Sequence, residues 1–140
     1  TDILHTPNLP RAAMQPILAP YNAALSHYLE QCNVPYTCRL NSEFQFEFDC
    51  GDGWVDAVTH MSGGQKVILA LCNFLSGIRV VRPNCPILTL DEPTDSLDID
   101  RKEGFVEALR NIHAADNGIF IQIISHDESV QAAADYVLTL

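Results

Sequence analysis

Basic residues are scarce in this sequence, and it contains no loop of its own for holding a triphosphate. There are 8 Lys and Arg against 18 Asp and Glu, which gives a formal net charge of −10. Because surfaces that bind nucleic acids are normally basic, we do not expect such a surface within these residues. The pattern Gly-x-x-x-x-Gly-Lys-Ser/Thr is absent from the 140 residues, which excludes a self-contained phosphate-loop site. If the chain handles phosphates, it supplies only part of the site.

Two further absences concern membranes and disulfides. No apolar stretch of membrane-spanning length stands out in the sequence, so no membrane partner is expected. The five cysteines are odd in number and form no Cys-x-x-Cys pair, which favours a reducing cytoplasm over a disulfide framework. With 47% hydrophobic residues, the chain is one domain-sized unit that can build a core.

Ser62-Gly63-Gly64-Gln65 predicts the start of a helix and a place for an anion. The Ser62 side chain can cap the helix while the Gln65 side chain returns the bond, as in a capping box. Gly63 and Gly64 leave the first turn without side chains, so a phosphate could approach N–H groups at the positive end of the helix dipole. An ordinary capped helix after a glycine turn explains the same residues. The apolar stripe that follows comprises Ile68, Leu71, Cys72, Leu75 and Ile78.

A short β-prone run, Ile87–Leu90, ends at two adjacent carboxylates, Asp91 and Glu92. In open α/β sheets, ligands bind outside the carboxyl ends of the strands. One carboxylate there can hold Mg²⁺, usually through water, and the other can polarise an attacking water. A solvated loop is the alternative for the acidic pair alone. Asp98 or Asp100 can cap the next helix. The predicted buried face of that helix comprises Phe105, Leu109 and Ile112.

A second apolar run, Ile119–Ile124, predicts a fully buried strand of the kind found in parallel sheets. His126 follows this run, again just past the carboxyl end of a strand. A histidine at that place can hydrogen-bond a γ-phosphate and respond to its presence. A structural or surface role is the competing interpretation for a single histidine. The other histidines have only that interpretation: His5, His27, His60 and His113.

These three segments, in this order, resemble the C-terminal half of an ATP-binding-cassette (ABC) ATPase head. Residues 60–140 carry nearly all of the resemblance. It implies an α/β fold, namely the C-terminal lobe of a P-loop ABC ATPase head with a mostly parallel core sheet flanked by helices. It also implies ATP hydrolysis with Mg²⁺ by a complete head. Because the phosphate loop is absent, we expect the chain alone to be inactive.

The resemblance implies a role for each motif. Ser62 to Gln65 match the signature motif, which in this superfamily contacts the γ-phosphate of ATP held by the opposite subunit. Asp91 matches the metal-site aspartate of the Walker B motif, and Glu92 matches the catalytic glutamate. Ser96, Leu97 and Asp98 match the D-loop, which crosses the dimer interface. His126 matches the switch histidine.

Finer features are most similar to the ATPase subunit of the SbcCD-type double-strand-break-repair exonuclease, one of the SMC-like ABC ATPases. They are the run Lys66–Cys72 after the signature, the run Leu90–Thr94, and Ser125–Glu128 followed by Ala134–Val137. This resemblance implies four partners: an N-terminal lobe carrying the Walker A loop, a second head, a nuclease subunit, and DNA through the complete complex. The alternatives are an SMC-type chromosome-maintenance ATPase, an ABC-transporter cassette, or a non-catalytic fragment that completes a partner's site.

The first 58 residues predict a helical entry segment over residues 1–33 and a β-hairpin over residues 40–58. Pro16 and Pro20 interrupt the helix, so a continuous helix is expected only from Pro20 to Gln31. The apolar positions at alternating spacings of four and three comprise Met14, Leu18, Tyr21, Leu25, Tyr28 and Cys32. They suit either a coiled-coil seam or a single helix packed on the sheet. The hairpin strand has inward-facing residues at Phe44, Phe46 and Phe48.

Overall fold

The elements of the fold alternate between helices and two small sheets. The computed structural model describes residues 9–84, 87–95, 97–115 and 119–138. The helices are α1 (Leu9–Gln31), α2 (Ala57–His60), α3 (Gly63–Val81), α4 (Ile99–Ala115) and α5 (Glu128–Ala133). The strands are β1 (Thr37–Leu40), β2 (Phe46–Asp49), β3 (Val55–Asp56), β4 (Ile87–Asp91) and β5 (Phe120–Ile124).

Helix α1 is longer than the sequence predicts, because it runs through both prolines. Pro16 and Pro20 are exposed and lie four residues apart on one face, where water can satisfy the carbonyl groups that the prolines leave without a donor. The expectation that the helix begins only at Pro20 is therefore wrong. Its buried residues lie in the second half, where α1 packs against α3 and β1, as in the packed-helix alternative.

The hairpin predicted over residues 40–58 corresponds to β2 and β3, and β1, which precedes it, adds a third strand to an antiparallel sheet of order β1-β2-β3. Phe48 pairs with Cys38 on β1 and with Val55 on β3. The expected strand residue Phe44 lies instead in the β1–β2 turn with a φ of 61°, so only Phe46 and Phe48 belong to the strand. The sheet is fastened to α1 by Asn22, whose side-chain Oδ1 accepts from the Leu40 N–H at 2.8 Å.

Helix α3 corrects the expectation about membrane-spanning stretches. It has 19 residues with a mean hydropathy of 1.3, which is long and apolar enough to cross a membrane by length and composition. The sequence hides this because the cations Lys66 and Arg79 interrupt the apolar run. A core helix has the same length and composition, and α3 packs between α1 and α4. About a quarter of the apolar window is buried, 28%, including Cys72 and Ser76, so one face of α3 belongs to the core.

Strands β4 and β5 pair in parallel, with Ile87 opposite Phe120 and Asp91 opposite Ile124. The parallel arrangement confirms the predicted fold class. However, β5 is not a fully buried strand, because its residues alternate between exposed and half-buried. Ile121 and Ile123 pack on the core, whereas Phe120 and Ile124 are exposed on the other face. Only one face of this two-stranded sheet is covered by the described residues.

Helix α4 confirms its predicted buried face. Phe105, Leu109 and Ile112 are at most 6% exposed and join the cluster formed with α1 and α3. Asp98 is the residue that caps the helix, since its Oδ1 accepts from the Arg101 N–H at 3.0 Å. Both strands of the parallel sheet therefore rest on a well-packed helical layer, and their carboxyl ends lie side by side.

Candidate active site

The acidic edge of the site begins where β4 ends. Asp91 is the last residue of the strand and is exposed. Glu92 continues the ladder by one bond, because its N–H donates to the carbonyl of Ile124 at 2.8 Å. The backbone then turns sharply, and Glu92 adopts a φ of +43°. Such a conformation is uncommon for a non-glycine residue and is found most often at functional sites.

His126 is directly bonded to this glutamate although 34 residues separate them in sequence. Its Nδ1 lies 3.0 Å from Oε1 of Glu92. The hydrogen bond to His126 lowers the pKa of Glu92, and the same bond raises the pKa of His126. Because of these shifts, the imidazolium and the carboxylate are both charged over a wider pH range than they would be without the contact. The other Glu92 oxygen, Oε2, is buried and has no hydrogen-bond partner among the described residues.

Asp95 is a third member of this group that the sequence did not single out. Its Oδ1 lies 3.9 Å from Nε2 of His126, and its charge also raises the histidine pKa. The ligand atoms of Glu92, Asp95 and His126 all lie within 4.8 Å of one another. Asp91, the expected Mg²⁺ ligand, stands outside this cluster among the described residues. With Asp95, the edge has three carboxylates, whereas the sequence predicted two.

An ion pair behind His126 holds its segment in place. The Asp127 carboxylate caps α5 by accepting from the Ser129 N–H at 2.9 Å and pairs with Nζ of Lys102 on α4. The Lys102 contact is the largest cause of the lowered pKa of Asp127. Asp127 thus links the backbone next to His126 to the first turns of α4 and α5, which limits the movement of this segment.

The signature segment forms a closed helix cap. Ser62 is the N-cap of α3, and its Oγ accepts from the Gln65 N–H at 3.3 Å. The Gln65 side chain returns the bond, accepting from the Ser62 N–H at 2.8 Å. The first helical bond runs from the Lys66 N–H to the Ser62 carbonyl. The N–H groups of Gly63 and Gly64 therefore have no acceptor within the helix, and they remain available to an anion.

Arg101 on α4 lies across the glycines of this cap. A Cβ atom added at Gly63 would come within 2.6 Å of the guanidinium carbon, so the side chain occupies the space that the glycine leaves open. Its Nε also lies 3.3 Å from Oδ2 of Asp98. A cation near two helix N-termini is opposed by both dipoles, and an anion is the natural complement of this arrangement.

The D-loop residues have different structural roles. Leu97 is half-buried and packs on the core, while Asp98 caps α4. Ser96 lies outside the described residues. The recorded hydrogen bonds of Ser62 and Gln65 stay within the cap, and those of Glu92 and His126 stay at the strand edge. The structure thus presents two local groups, the signature cap and the strand edge.

Asp95, Arg101, Lys102 and Asp127 are the site residues that sequence reasoning missed. Three of them carried a usable signal. Arg101 and Lys102 are cations in the opening of a helix, where the dipole disfavours positive charge, so each required an acidic partner. Asp127 precedes Ser129 at a helix start, which is a capping pattern. Asp95 carried no such signal, because its position depends on the turn after Glu92.

Comparison with known proteins places this site in context. No family model matches the chain. The DNA double-strand break repair Rad50 ATPase of Aeropyrum pernix is 31% identical over 117 residues, which span 83% of this chain and 13% of that protein. The energy-coupling factor transporter ATP-binding protein EcfA1 of Lactobacillus delbrueckii subsp. bulgaricus is 38% identical over 82 residues, or 59% of this chain and 27% of that protein. The chain thus spans only a small part of either relative.

The fold likeness extends over most of the chain. A structure from a study of the ATP-driven dimerization and DNA-stimulated activation of SMC ATPases superposes with a TM-score of 0.69 at 17% identity. The match covers 91% of this chain and 80% of that one. It confirms the predicted α/β head fold.

Proposed function

Because the chain is a segment of an SMC-like ABC ATPase head, we propose that it is the C-terminal lobe of the ATPase subunit of a DNA-repair nuclease complex. Its substrate is ATP, its metal is Mg²⁺, and its place is the cytoplasm or the nucleus. The phosphate loop comes from an N-terminal lobe outside these residues. The likeness to a double-strand break repair ATPase over most of the chain supports this choice.

The observation that carries the proposal is the Glu92–His126 pair beside Asp91 at the joint carboxyl end of two parallel strands. Carboxylate oxygens are the ligands that Mg²⁺ prefers, so the exposed Asp91 fits the metal. When bound, Mg²⁺ would neutralise negative charge on the phosphates. Glu92 would then accept the proton of the attacking water. His126 would turn from Glu92 to the γ-phosphate, and losing the hydrogen bond that lowers the pKa of Glu92 would make the carboxylate a stronger base.

The signature cap supports a role in holding phosphate. The N–H groups of Gly63 and Gly64 point away from the helix at its positive end. Ser62 Oγ accepts one bond in the cap, which leaves its hydroxyl hydrogen free to donate to a phosphate oxygen. A cap that lacks a phosphate loop beside it in the same chain suits a nucleotide held by a second head.

Two heads would therefore share two nucleotides, and ATP would drive their dimerisation. ATP-driven dimerization is named for the SMC ATPases of the similar structure, which supports this arrangement. With a net charge of −10, this segment is a poor surface for DNA. We place the main DNA contact on the other lobe or the coiled coil, and the nuclease subunit on the complete complex.

The decisive experiment is Glu92→Gln in the complete head, with Glu43→Gln in the exposed β1–β2 turn as the matched control. The variant should lose about 10²–10⁴-fold in hydrolysis, the usual worth of a general base, and should still bind Mg²⁺–ATP through Asp91. ATP-locked dimers should then accumulate in size-exclusion chromatography. If ATP binding is lost together with turnover, the two carboxylates have other roles.

A transporter cassette is the second candidate, because the EcfA1 match covers 59% of the chain. An SMC-type chromosome-maintenance ATPase is a third, because the similar structure is of that kind. Linear duplex DNA distinguishes a repair ATPase from a transporter cassette. It should stimulate ATP hydrolysis by the repair ATPase and leave the hydrolysis rate of the transporter cassette unchanged. Cleavage of linear DNA by the co-purified complex separates the repair ATPase from the SMC type.

A further inference from the structure

Two cysteines, one in the turn after α1 and one in α3, meet at the junction of these helices. The Sγ atoms of Cys32 and Cys72 lie 3.7 Å apart, close enough for one thiol to donate a hydrogen bond to the other. Cys72 lies in the middle of α3 and is fully buried, whereas Cys32 is half-buried just beyond the end of α1. Cys32 is therefore the more accessible residue of the pair, and Cys72 lies in the interior.

The backbone at Cys32 is suited to a small movement. A disulfide requires the sulfur atoms to approach to about 2.05 Å. Cys32 lies in the turn that ends α1, where its N–H donates to the Tyr28 carbonyl and the next residue, Asn33, has a φ of 53°. A helix end yields more readily than a helix centre, so Cys32 can move toward the fixed Cys72.

The two thiols differ in acidity in a way that matches their exposure. The hydrogen bond from Cys72 lowers the pKa of Cys32, although burial opposes this. The same bond, together with burial, raises the pKa of Cys72. The thiolate, which is the reactive form, is thus formed first at Cys32, on the accessible side of the pair.

We propose that Cys32 and Cys72 are an oxidisable pair that hydroperoxides convert into a disulfide joining the end of α1 to the middle of α3. The Cys32 sulfur attacks the peroxide, the O–O bond breaks, and the outer oxygen stays on Cys32 as a sulfenic acid while alcohol or water leaves. The Cys72 sulfur then attacks Cys32, the S–O bond breaks, and the Cys72 proton leaves with the hydroxyl group as water. Both thiols are oxidised and one hydroperoxide is reduced.

The consequence concerns the helix that begins at the signature cap. A disulfide would covalently fasten the middle of α3 to the end of α1, in addition to the packing that already joins the two helices. The chemistry itself does not rest on the proposed ATPase function. Its failure would leave that function untouched, and the reverse also holds.

The other described cysteines provide internal controls. Cys38 is buried in β1, and burial raises its pKa to about 12, so it should resist oxidation. Cys50 is exposed in the β2–β3 turn, and its neighbour Cys38, whose pKa it helps to raise, is buried. Cys50 should stop at the sulfenic acid or react with other molecules.

The test treats the complete protein with hydrogen peroxide, blocks the remaining thiols with N-ethylmaleimide, and maps the peptides by mass spectrometry. We expect a linked peptide pair containing Cys32 and Cys72, lighter by two hydrogens and released by dithiothreitol. Cys32→Ser should abolish it, and Cys50→Ser should leave it unchanged. In Cys72→Ala, dimedone should trap Cys32 as the sulfenic acid.

The wild-type map alone decides the question, so a variant that folds poorly does not obscure the result. Recovery of both Cys32 and Cys72 as alkylated thiols, at a peroxide concentration that oxidises Cys50, would overturn the proposal. A disulfide from Cys32 to any cysteine other than Cys72 would overturn it as well.

Discussion

The signature cap and the strand edge are built in opposite ways. The cap of α3 is closed by four consecutive residues, with reciprocal bonds between Ser62 and Gln65. The strand edge joins Glu92 and Asp95 to His126 across more than 30 residues, and it depends on the parallel pairing of β4 and β5. One group is local and complete, and the other is assembled by the fold.

The two regions also differ in how much of the chain covers them. The cap rests on a helix with a fully buried centre at Cys72 and Ser76. The sheet that carries the strand edge leaves Ile87, Phe120 and Ile124 between 52% and 61% exposed on one face. Contiguous exposed apolar area of this kind is typical of an interaction surface. The cap thus belongs to a helix that is packed at its centre, whereas the strand edge belongs to a sheet with one uncovered face among the described residues.

The largest effect follows from that incomplete strand edge, since the isolated chain should neither bind ATP tightly nor hydrolyse it. No phosphate loop surrounds the triphosphate, and the acidic edge repels it, because Asp91, Glu92 and Asp95 lie within five consecutive residues. Isothermal titration with Mg²⁺–ATP should show no binding, and adding the N-terminal lobe should create it. A micromolar site on the isolated chain would show that the edge is complete after all.

The cap should matter only between two heads. In Ser62→Arg, the arginine fills the space at the helix N-terminus, so ATP-dependent dimerisation should be lost and hydrolysis should fall on the order of a hundredfold or more. ATP binding by a single head should be almost unchanged. Ser42→Arg, on the exposed β1–β2 turn, is the matched control and should behave as wild type.

A mixing experiment sharpens this result. Heads carrying Ser62→Arg, mixed with heads that carry a broken phosphate loop, should regain part of the activity, because one composite site is then intact. If Ser62→Arg heads still dimerise on ATP, the cap does not act on the opposite head.

The same contrast explains what the sequence could predict. The capping box, the stripe at Leu71, Cys72 and Leu75, and the parallel strands each follow from local patterns, and the structure confirms them. The Glu92–His126 contact was predicted only as two residues at strand ends, because the bond itself depends on pairing between distant segments. Asp95 could not be predicted at all, since the turn after Glu92 places it.

The errors arose where tertiary contacts override local rules. Two prolines remained within α1 because their face is exposed to water. Phe44 left its strand because the turn at Asn41 accepts bonds from the N–H groups of Glu43 and Gln45. The composition of β5 indicates a buried strand, but none of the described residues covers its outer face.

A smaller effect should come from the ion pair behind His126. Asp127→Asn keeps a good helix cap but loses the charge that pairs with Lys102, whereas Asp127→Ala loses both. The melting temperature should fall by a few degrees in the first variant and further in the second. Because the pKa of Asp127 is lowered by folding, its stabilisation is present above the ordinary carboxyl range and is lost as the pH falls below about 4.

The control for this effect is the pH series itself. The stability difference between wild type and Asp127→Asn, measured by thermal unfolding, should be largest near neutral pH and shrink in acid. An equal difference at every pH would show that the carboxylate acts through packing or capping rather than charge.

The smallest effect separates the two glycines of the cap. A Cβ at Gly64 would lie 3.9 Å from the nearest Arg101 atom, whereas one at Gly63 would meet the guanidinium carbon at 2.6 Å. Gly64→Ala should therefore stabilise the fold by up to about 0.5–1 kcal/mol through the lower entropy of the unfolded chain. Gly63→Ala should gain nothing, because Arg101 must leave its place beside Asp98. Removing the arginine in Gly63→Ala/Arg101→Ala should restore the gain relative to Arg101→Ala alone, as measured by urea unfolding. If Gly63→Ala and Gly64→Ala are equally stable, the Arg101 guanidinium moves aside from the cap without a measurable cost.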